Sequence, residues 1–514
     1  MYLSKAAAQQ PLNTNSIQVP APVGGWNARD AQDNMPPEDA VNMVNWFPAT
    51  GVVETRRGYQ THASGMSGSI ESLIEFNAQA TRKLICAADG KFYDISTAGA
   101  VGAALASGFT NNRWQSAQFD ISGSGSRIAL VNGSDAPQQY DGTTVSALTI
   151  SGTGLTPSNL IGVNIFKNRA FYWEKNSQDF WYSSINALAG TLTKFPLGRI
   201  SSFGGNLVSM ATWTQDGGDG VNDYAVFLMS SGDVIVYQGS DPGAAADWAL
   251  VGRFRLGSCL DVRGVVQFGS DLIAMTREGY YPLSLVLSKA RSNDLGAVSD
   301  KINGAVKEVA RSYAANKGWQ AILYPRGNWL LFNVPVSAAR FDQHVMNTQT
   351  GAWTKFEGMN GACWGLYNEE IYFGGTDGKV YKADVGLNDG GKAIIFTAQT
   401  AWNYFGNRER IKRFTGIKPT FESETELPVS IALGYDFRAQ AVNFTTSQLV
   451  GDDSPWDDSP WDDTSWAPDS GIISPWVSAA GLGRCVSARV VSSLNGQSCK
   501  WYSITYLMQA GDFI

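Results

Sequence analysis

Leu84–Ile95 reads LICAADGKFYDI: an apolar run, an Asp-Gly turn, and a second run that closes on Tyr. Two short strands separated by such a turn form a hairpin. The frame returns at Tyr224–Gly239 (YAVFLMSSGDVIVYQG), Leu272–Leu283 (LIAMTREGYYPL) and Ile371–Asp384 (IYFGGTDGKVYKAD). Arg127–Gly142 (RIALVNGSDAPQQYDG) is a looser copy. A lone hairpin buries little. Repeated every 40–50 residues or so, each unit stacks on the next, which is how a β-propeller is built.

The repeat extends to a full ring. Leu84, Ile128, Ala170, Ala225, Leu272, Ala321 and Ile371 mark successive units, with gaps of 44, 42, 55, 47, 49 and 50 residues. A four-stranded blade needs about that much chain. Seven markers predict seven blades, with six or eight left open. The longest gap holds QDGGDGVND, Gln215–Asp223, read as an inserted loop. A strand from near Val52 is expected to close the ring, since an open ring leaves sheet edges bare. Ile302, Val306, Val309 and Tyr313 recur at helical spacing and predict a helix over Asp300–Tyr313, with Asp300 as its cap.

The flanks differ in texture. Residues 1–50 are polar and Pro-rich and read as an extended arm and lead-in, with a disordered tail equally compatible with the composition, and with a brief turn or helix at Ala40–Phe47. The propeller is expected over residues 51–386. Beyond it, residues 387–514 predict a separate β-sandwich or barrel, with strands at Ala393–Thr400, Ile411–Phe421, Val429–Phe437, Ala441–Val450, Arg484–Leu494 and Trp501–Met508. The fold class is therefore all-β.

Bulk composition narrows the function. Of the 514 residues only 17% are charged, below the roughly 25% of ordinary globular chains, which suits a turn-rich β protein or a subunit that hides its surface in an assembly. The formal charge is −7, and six aspartates of one tract supply nearly all of it. A near-neutral remainder argues against a tight nucleic-acid binder, but not against a wall that DNA slides past. The five cysteines are scattered, with no CxxC pair, so metal spacing is absent. Cys485 and Cys499 could meet across a hairpin, but buried free thiols are the expectation. The first residues lack the apolar core of a signal peptide, and no apolar run reaches about 18 residues, so no membrane span is expected.

Three constellations carry possible chemistry. DDSPWDDSPWDDTSW, Asp452–Trp466, sets Asp452, Asp453, Asp457, Asp458, Asp462 and Asp463 around Trp456 and Trp461. It reads as a cation loop, a partner-contact loop with anchoring tryptophans, or an acidic solvent loop. Arg408, Arg410 and Lys412 would share one strand face as a basic stripe, continued by Arg413, for phosphates or subunit ion pairs. Arg253, Arg255 and Arg263 are a weaker hint of the same kind. Catalytic signals are thin. His62 and His344 are the only histidines, and neither lies in a metal frame. Asp216, Asp219 and Asp223 are the carboxylates a glycosidase would draw on, though a polar loop is the simpler reading. No cofactor, metal or catalytic residue is assigned.

One resemblance sharpens this. VGGWNARD at Val23–Asp30, MPPEDA at Met35–Ala40, NWFP at Asn45–Pro48 and VVETRRGY at Val52–Tyr59 resemble the opening of the tail-nozzle or packaged-DNA stabilisation proteins of short-tailed phages. The likeness carries over to Gly24, Gly25, Trp26, Asn45, Trp46, Pro48, Arg56, Arg57 and Gly58, as architectural residues. It implies a non-enzymatic virion tail protein, assembled in the host cytoplasm. It would ring as a homohexamer below the portal and its head-tail adaptor, extending the DNA conduit and retaining packaged DNA until ejection. It would touch duplex DNA only transiently and carry a tail fibre, spike or needle distally. The alternative is a carbohydrate-binding host-adhesin propeller with Phe171, Trp173, Trp181 and Tyr182 as pocket liners; a propeller glycosidase is a minor third.

Overall fold

The computed structural model describes residues 14–78, 81–123, 125–216, 221–288, 296–423, 427–438, 444–446 and 471–510. The acidic tract Asp452–Trp466 lies outside them. The chain forms two units. One comprises Met1–Arg56, Gln349–Lys355 and Gly391–Ile514; the other comprises Arg57–Thr348 and Phe356–Gly390. The expected borders at 50/51 and 386/387 thus fall a few residues early, and the short return at Gln349–Lys355 had no sequence signal.

The larger unit is the propeller. Blade 1 pairs Ser72–Ala78, Thr81–Ala88, Lys91–Asp94 and Ala106–Ser107. The turn between its second and third strands is the Asp-Gly of the opening motif. Asp89 (φ 51°) and Gly90 (φ 66°) are both left-handed, as a tight hairpin requires. Blade 2 pairs Gln115–Ile121, Gly125–Val131, Gln138–Tyr140 and Val145–Ala147, and blade 3 pairs Leu160–Phe166, Arg169–Glu174, Phe180–Tyr182 and Gly190–Phe195, with Ile150–Gly152 outermost. Blade 4 runs from Leu207–Asp216 through Val221–Met229 and Asp233–Gln238 to Ala249–Arg255. Blade 5 has Val265–Phe268, Asp271–Met275 and Tyr280–Pro282.

Gln320–Tyr324, Trp329–Pro335 and Phe341–Asn347 form a meander whose first strand lies between the first strands of blades 5 and 7. We count it as blade 6. Blade 7 pairs Gly361–Tyr367, Glu370–Gly375 and Val380–Ala383 with Tyr59–Ser64 from the other end of the unit. Six blades are thus sheets of their own and the meander completes the ring. The closing strand is Tyr59–Ser64, not the Val52 segment: Ala63 pairs with Val380 and Thr61 with Tyr381.

Alternation within a strand explains why the blades stack. In Thr81–Ala88, Leu84, Cys86 and Ala88 join the core shared with Ala63, Cys363 and Val380 of blade 7. Ile85 and Ala87 point the other way, to Ile128, Leu130 and Tyr140 of blade 2. Successive side chains leave opposite sheet faces, and both faces are covered. The run therefore reads as continuously apolar, and each Leu or Ile contributes roughly 1.5–3 kcal/mol of burial.

Several local expectations change. Gln215–Asp223 includes hairpin ladder: Gln215 pairs with Asn222 and Asp216 with Val221. The helix is split into a 3-10 turn, Asp300–Ile302, and an α-helix, Asn303–Tyr313. Asp300 is the first residue of the 3-10 turn, and the cap position before it is Ser299, whose Oγ donates to Asn303 Oδ1 at 2.6 Å. Ile302, Val306 and Ala310 are its buried face.

The smaller unit is a two-sheet β-domain made from both chain ends. In one sheet Lys500–Ala510 lies between Lys412–Glu422 and Val52–Thr55, and Trp46–Ala49 follows. Thr14–Pro20 adds to Lys500–Ala510, and Val477–Gly483 to Lys412–Glu422. The other sheet runs from Gly25–Trp26 through Asp39–Val44, Ile394–Thr400 and Val486–Leu494 to Val429–Tyr435 and Phe444–Thr446. Rings from both sheets meet in the core: Trp46 lies 5.5 Å from Phe396 and 5.9 Å from Trp501, and Phe414 lies 5.5 Å from Tyr435. The predicted arm thus contributes the strands Thr14–Pro20, Gly25–Trp26, Asp39–Val44 and Trp46–Ala49, and Ala40–Phe47 is strand on either side of Asn45 instead of a turn or helix. Asn45 (φ 62°) makes the sharp bend between two strands there.

Candidate functional site

Most residues of the opening motif are built into the architecture, and Arg57 is the exposed exception. A Cβ on Gly24 would lie 2.1 Å from Asp39 Oδ1, and one on Gly25 would lie 2.5 Å from Trp353 O. Trp26 is buried beside the parallel pairing of Gly25–Trp26 with Asp39–Ala40. Asn45 donates from Nδ2 to Ile395 O at 2.8 Å, and its Oδ1 accepts from Arg56 Nε at 2.8 Å. Arg56 is itself buried. Pro48 sits opposite Val53 in the hairpin, and Trp46 fills the core. In the propeller, a Cβ on Gly58 would fall 1.8 Å from Asn388 O, and the charge of Arg57 acts on the half-buried Asp384.

The basic stripe does not form. Strand begins only at Lys412, after a turn in which Asn407 Oδ1 accepts the backbone N–H groups of Glu409 and Arg410. Arg408 stacks on Tyr404 at 4.9 Å and donates to Asp33 O at 2.9 Å. Lys412 is buried and donates Nζ to Asn407 O, Arg410 O and Arg484 O at 2.5–3.2 Å. Burial lowers its pKa. Arg410 is half-buried, which leaves Arg413 as the exposed strand member.

The alternative pocket liners are core. Phe171, Trp173 and Tyr182 pack between blades 3 and 4, and Trp181 packs toward blade 2. Asp223 is held by Lys167 and by Thr214 Oγ1. Asp216 lies in strand, and Asp219 is outside the described residues. Cys485 and Cys499 are buried free thiols.

The feature that sequence reading undervalued is the axis of the propeller. The innermost strands all begin at one end of the ring. There Arg263, at the entry to blade 5, reaches across to the entries of blades 1 and 2. Its guanidinium donates to Glu71 O at 2.9 Å, Ser72 Oγ at 2.9 Å, Trp114 O at 2.7 Å and Gln115 Oε1 at 3.2 Å. Burial, then neighbouring Arg113, pulls its pKa down to about 10. A second crossing joins Arg113 to Asp261 at 2.8 Å, both side chains mostly covered. A cavity of about 390 Å³ opens at this end, walled by Arg113, Asp261, Asn206 and Leu207 and rimmed by Lys175 and Lys317. A second, of about 340 Å³, lies further along the inner strands, against Asn164, Trp173 and Thr212. Arg263 was visible only as one of three scattered arginines, because the blades that supply its acceptors are nearly 150–190 residues away in sequence.

Among the described residues no helix is long and apolar enough to cross a membrane, and no group of three or more His, Cys, Asp or Glu converges as a metal site. A search of protein families finds no match, and neither does a search of curated proteins. Solved structures similar to the chain include the β-propeller domain of Cps50 (Swd1) from Myceliophteria thermophila, at 11% identity and TM-score 0.42, covering 64% of this chain and 99% of that one. BBS1N, solved in complex with ARL6DN, gives 11% and 0.41, covering 64% and 98%. YCF48 from Cyanidioschyzon merolae gives 10% and 0.37, covering 63% and 98%. At such scores the assignment as a β-propeller rests on the strand pairing of this chain itself.

Proposed function

We propose that the chain is a structural subunit of a phage tail, of the nozzle or packaged-DNA stabilisation kind, and that copies ring around a shared axis to continue the DNA conduit below a portal and adaptor. The observation that carries this reading is where the family-like opening residues lie: Gly24, Gly25, Asn45, Trp46, Arg56 and Gly58 are all committed to tight backbone approach, core packing or internal hydrogen bonds. Such residues specify a rigid block, as assembly requires, and leave none for chemistry.

A ring of like copies needs two different complementary patches on each copy. Two candidates exist, one on each unit. On the β-domain, Ile472, Trp476 and Leu482 are exposed along the Ile472–Gly483 stretch, at 53%, 54% and 67%. On the propeller, Leu250 and Val251 of the outermost blade-4 strand and Phe203, with Arg255 4.2 Å over its ring, are exposed. The first is a row along strand Lys412–Glu422, with Ile472 opposite Glu422 and Leu482 opposite Arg413, and exposed apolar surface of this kind suits a contact. DNA would touch the shared wall only transiently, and distal tail parts would attach beyond it.

Electron microscopy and native mass measurement of the purified chain, alone and with portal and adaptor, test this. A closed ring of about six copies is expected. A strict monomer under both conditions would overturn it.

A further inference from the structure

The axial cavity has the makings of a ligand site that the conduit reading does not use. Its walls come from the entries of several blades, so the polar groups there converge although they are far apart in sequence. At about 390 Å³ it is at the small end of ligand pockets, roughly 300–1,000 Å³, and fits one sugar-sized molecule. The cavity has an apolar flank, Leu207 and Val208, and a polar one.

The charges leave a surplus. Arg113 is neutralised by Asp261, and Glu71 lies against the buried Arg263. Lys175 and Lys317 stand at the exposed rim. Lys175 donates one bond, to Gly133 O at 2.8 Å, and its ammonium has two N–H groups to spare. The side chains of Lys317, Asn176 and Asn206 make no hydrogen bond among the described residues, while nearly every other amide of the region does. Asn132, for comparison, donates to Asn111 O and Asp135. Uncommitted amides pair with hydroxyl groups, and two ammonium groups with N–H donors to spare pair with a carboxylate.

We propose that this mouth binds one acidic monosaccharide unit, carboxylate toward Lys175 and Lys317 and hydroxyls on Asn176 and Asn206. The inference does not rest on ring assembly and is tested on the full-length chain whatever its oligomeric state.

Titration calorimetry with methyl glucuronide, methyl glucoside and inorganic phosphate is the experiment. The uronide should saturate with a dissociation constant on the order of 1 mM. The neutral glycoside should bind at least about tenfold more weakly, since it lacks the charged group. Lys317→Ala, at an exposed side chain, should weaken the uronide about tenfold at an unchanged melting temperature. Asn206→Ala should weaken both glycosides, and Arg311→Ala, on the exposed face of the Asn303–Tyr313 helix, should change neither. Phosphate binding as tightly as the uronide, equal affinity for the two glycosides, indifference to Lys317→Ala, or no saturation by the uronide at about 20 mM would each overturn the proposal.

Discussion

Arg263 concentrates the most structure in one side chain. It replaces an apolar hub with four donated hydrogen bonds to blades on the far side of the channel. Arg263→Met keeps volume but strands the carbonyl of Glu71 and leaves that of Trp114 with only Ser72 Oγ at 3.3 Å. We expect a loss of about 2–4 kcal/mol in urea unfolding, the range for buried acceptors left unpaired. Gly162 makes the complementary point, since a Cβ there would lie 2.0 Å from the Trp173 ring. Gly162→Ala should destabilise by about 1–3 kcal/mol through overpacking, and Gly162→Ala with Trp173→Leu should recover part of that.

Titration also acts at this scale. A hydrogen bond from Lys167 holds the Asp223 carboxyl below its usual range, and the backbone N–H of Thr144 does the same for Asp141. Each stabilises the fold fully above the unfolded pKa, about 3.9, and that contribution is lost as pH falls through the lower folded value. Burial raises Asp384 instead, so its effect has the opposite sign and fades as pH drops. The urea midpoint should therefore fall as pH is lowered below about 4, and Asp223→Asn should flatten part of that fall.

At the scale of elements, ring closure depends on Tyr59–Ser64. Ala63 of that strand is fully buried among Ile70, Cys86 and Val380. Ala63→Asp would bury an unpaired carboxylate and detach the strand. A loss of at least about 3 kcal/mol is expected, with new protease cuts near residue 60 at temperatures where the parent chain resists. Elements also divide what sequence patterns could reveal. Strands 394–400, 412–422, 429–435 and 486–494 fall within a residue or two of their expected places, because alternation is a local signal. The Ala40–Phe47 segment misled because its apolar spacing suits either helix or strand; pairing of Asp39–Val44 with Ile394–Thr400, some 350 residues on, decides it.

For the whole molecule, the β-domain joins the two chain ends: Thr14–Pro20 pairs residue for residue with Ser503–Gln509. Removing residues 500–514 takes away the strand that both Thr14–Pro20 and Lys412–Glu422 lean on. The truncated chain should be largely insoluble on expression, or should expose the β-domain to rapid proteolysis while propeller fragments survive. Full solubility with an unchanged melting curve would contradict the pairing.

The amino-acid order by itself determined the repeat, the all-β class and most strands of both units, because side-chain alternation and Asp-Gly turns act over a handful of residues. It also marked Gly24, Gly25, Trp46 and Arg56 as special without saying why. Only the tertiary structure decided which strand closes the ring, that the N-terminal segment joins the sheets, that Lys412 is spent on internal carbonyls, and that Arg263 bridges the axis near a cavity with one polar flank. Those outcomes depend on which distant backbone groups come within hydrogen-bonding reach, and a closed ring sets those distances only once every blade is in place.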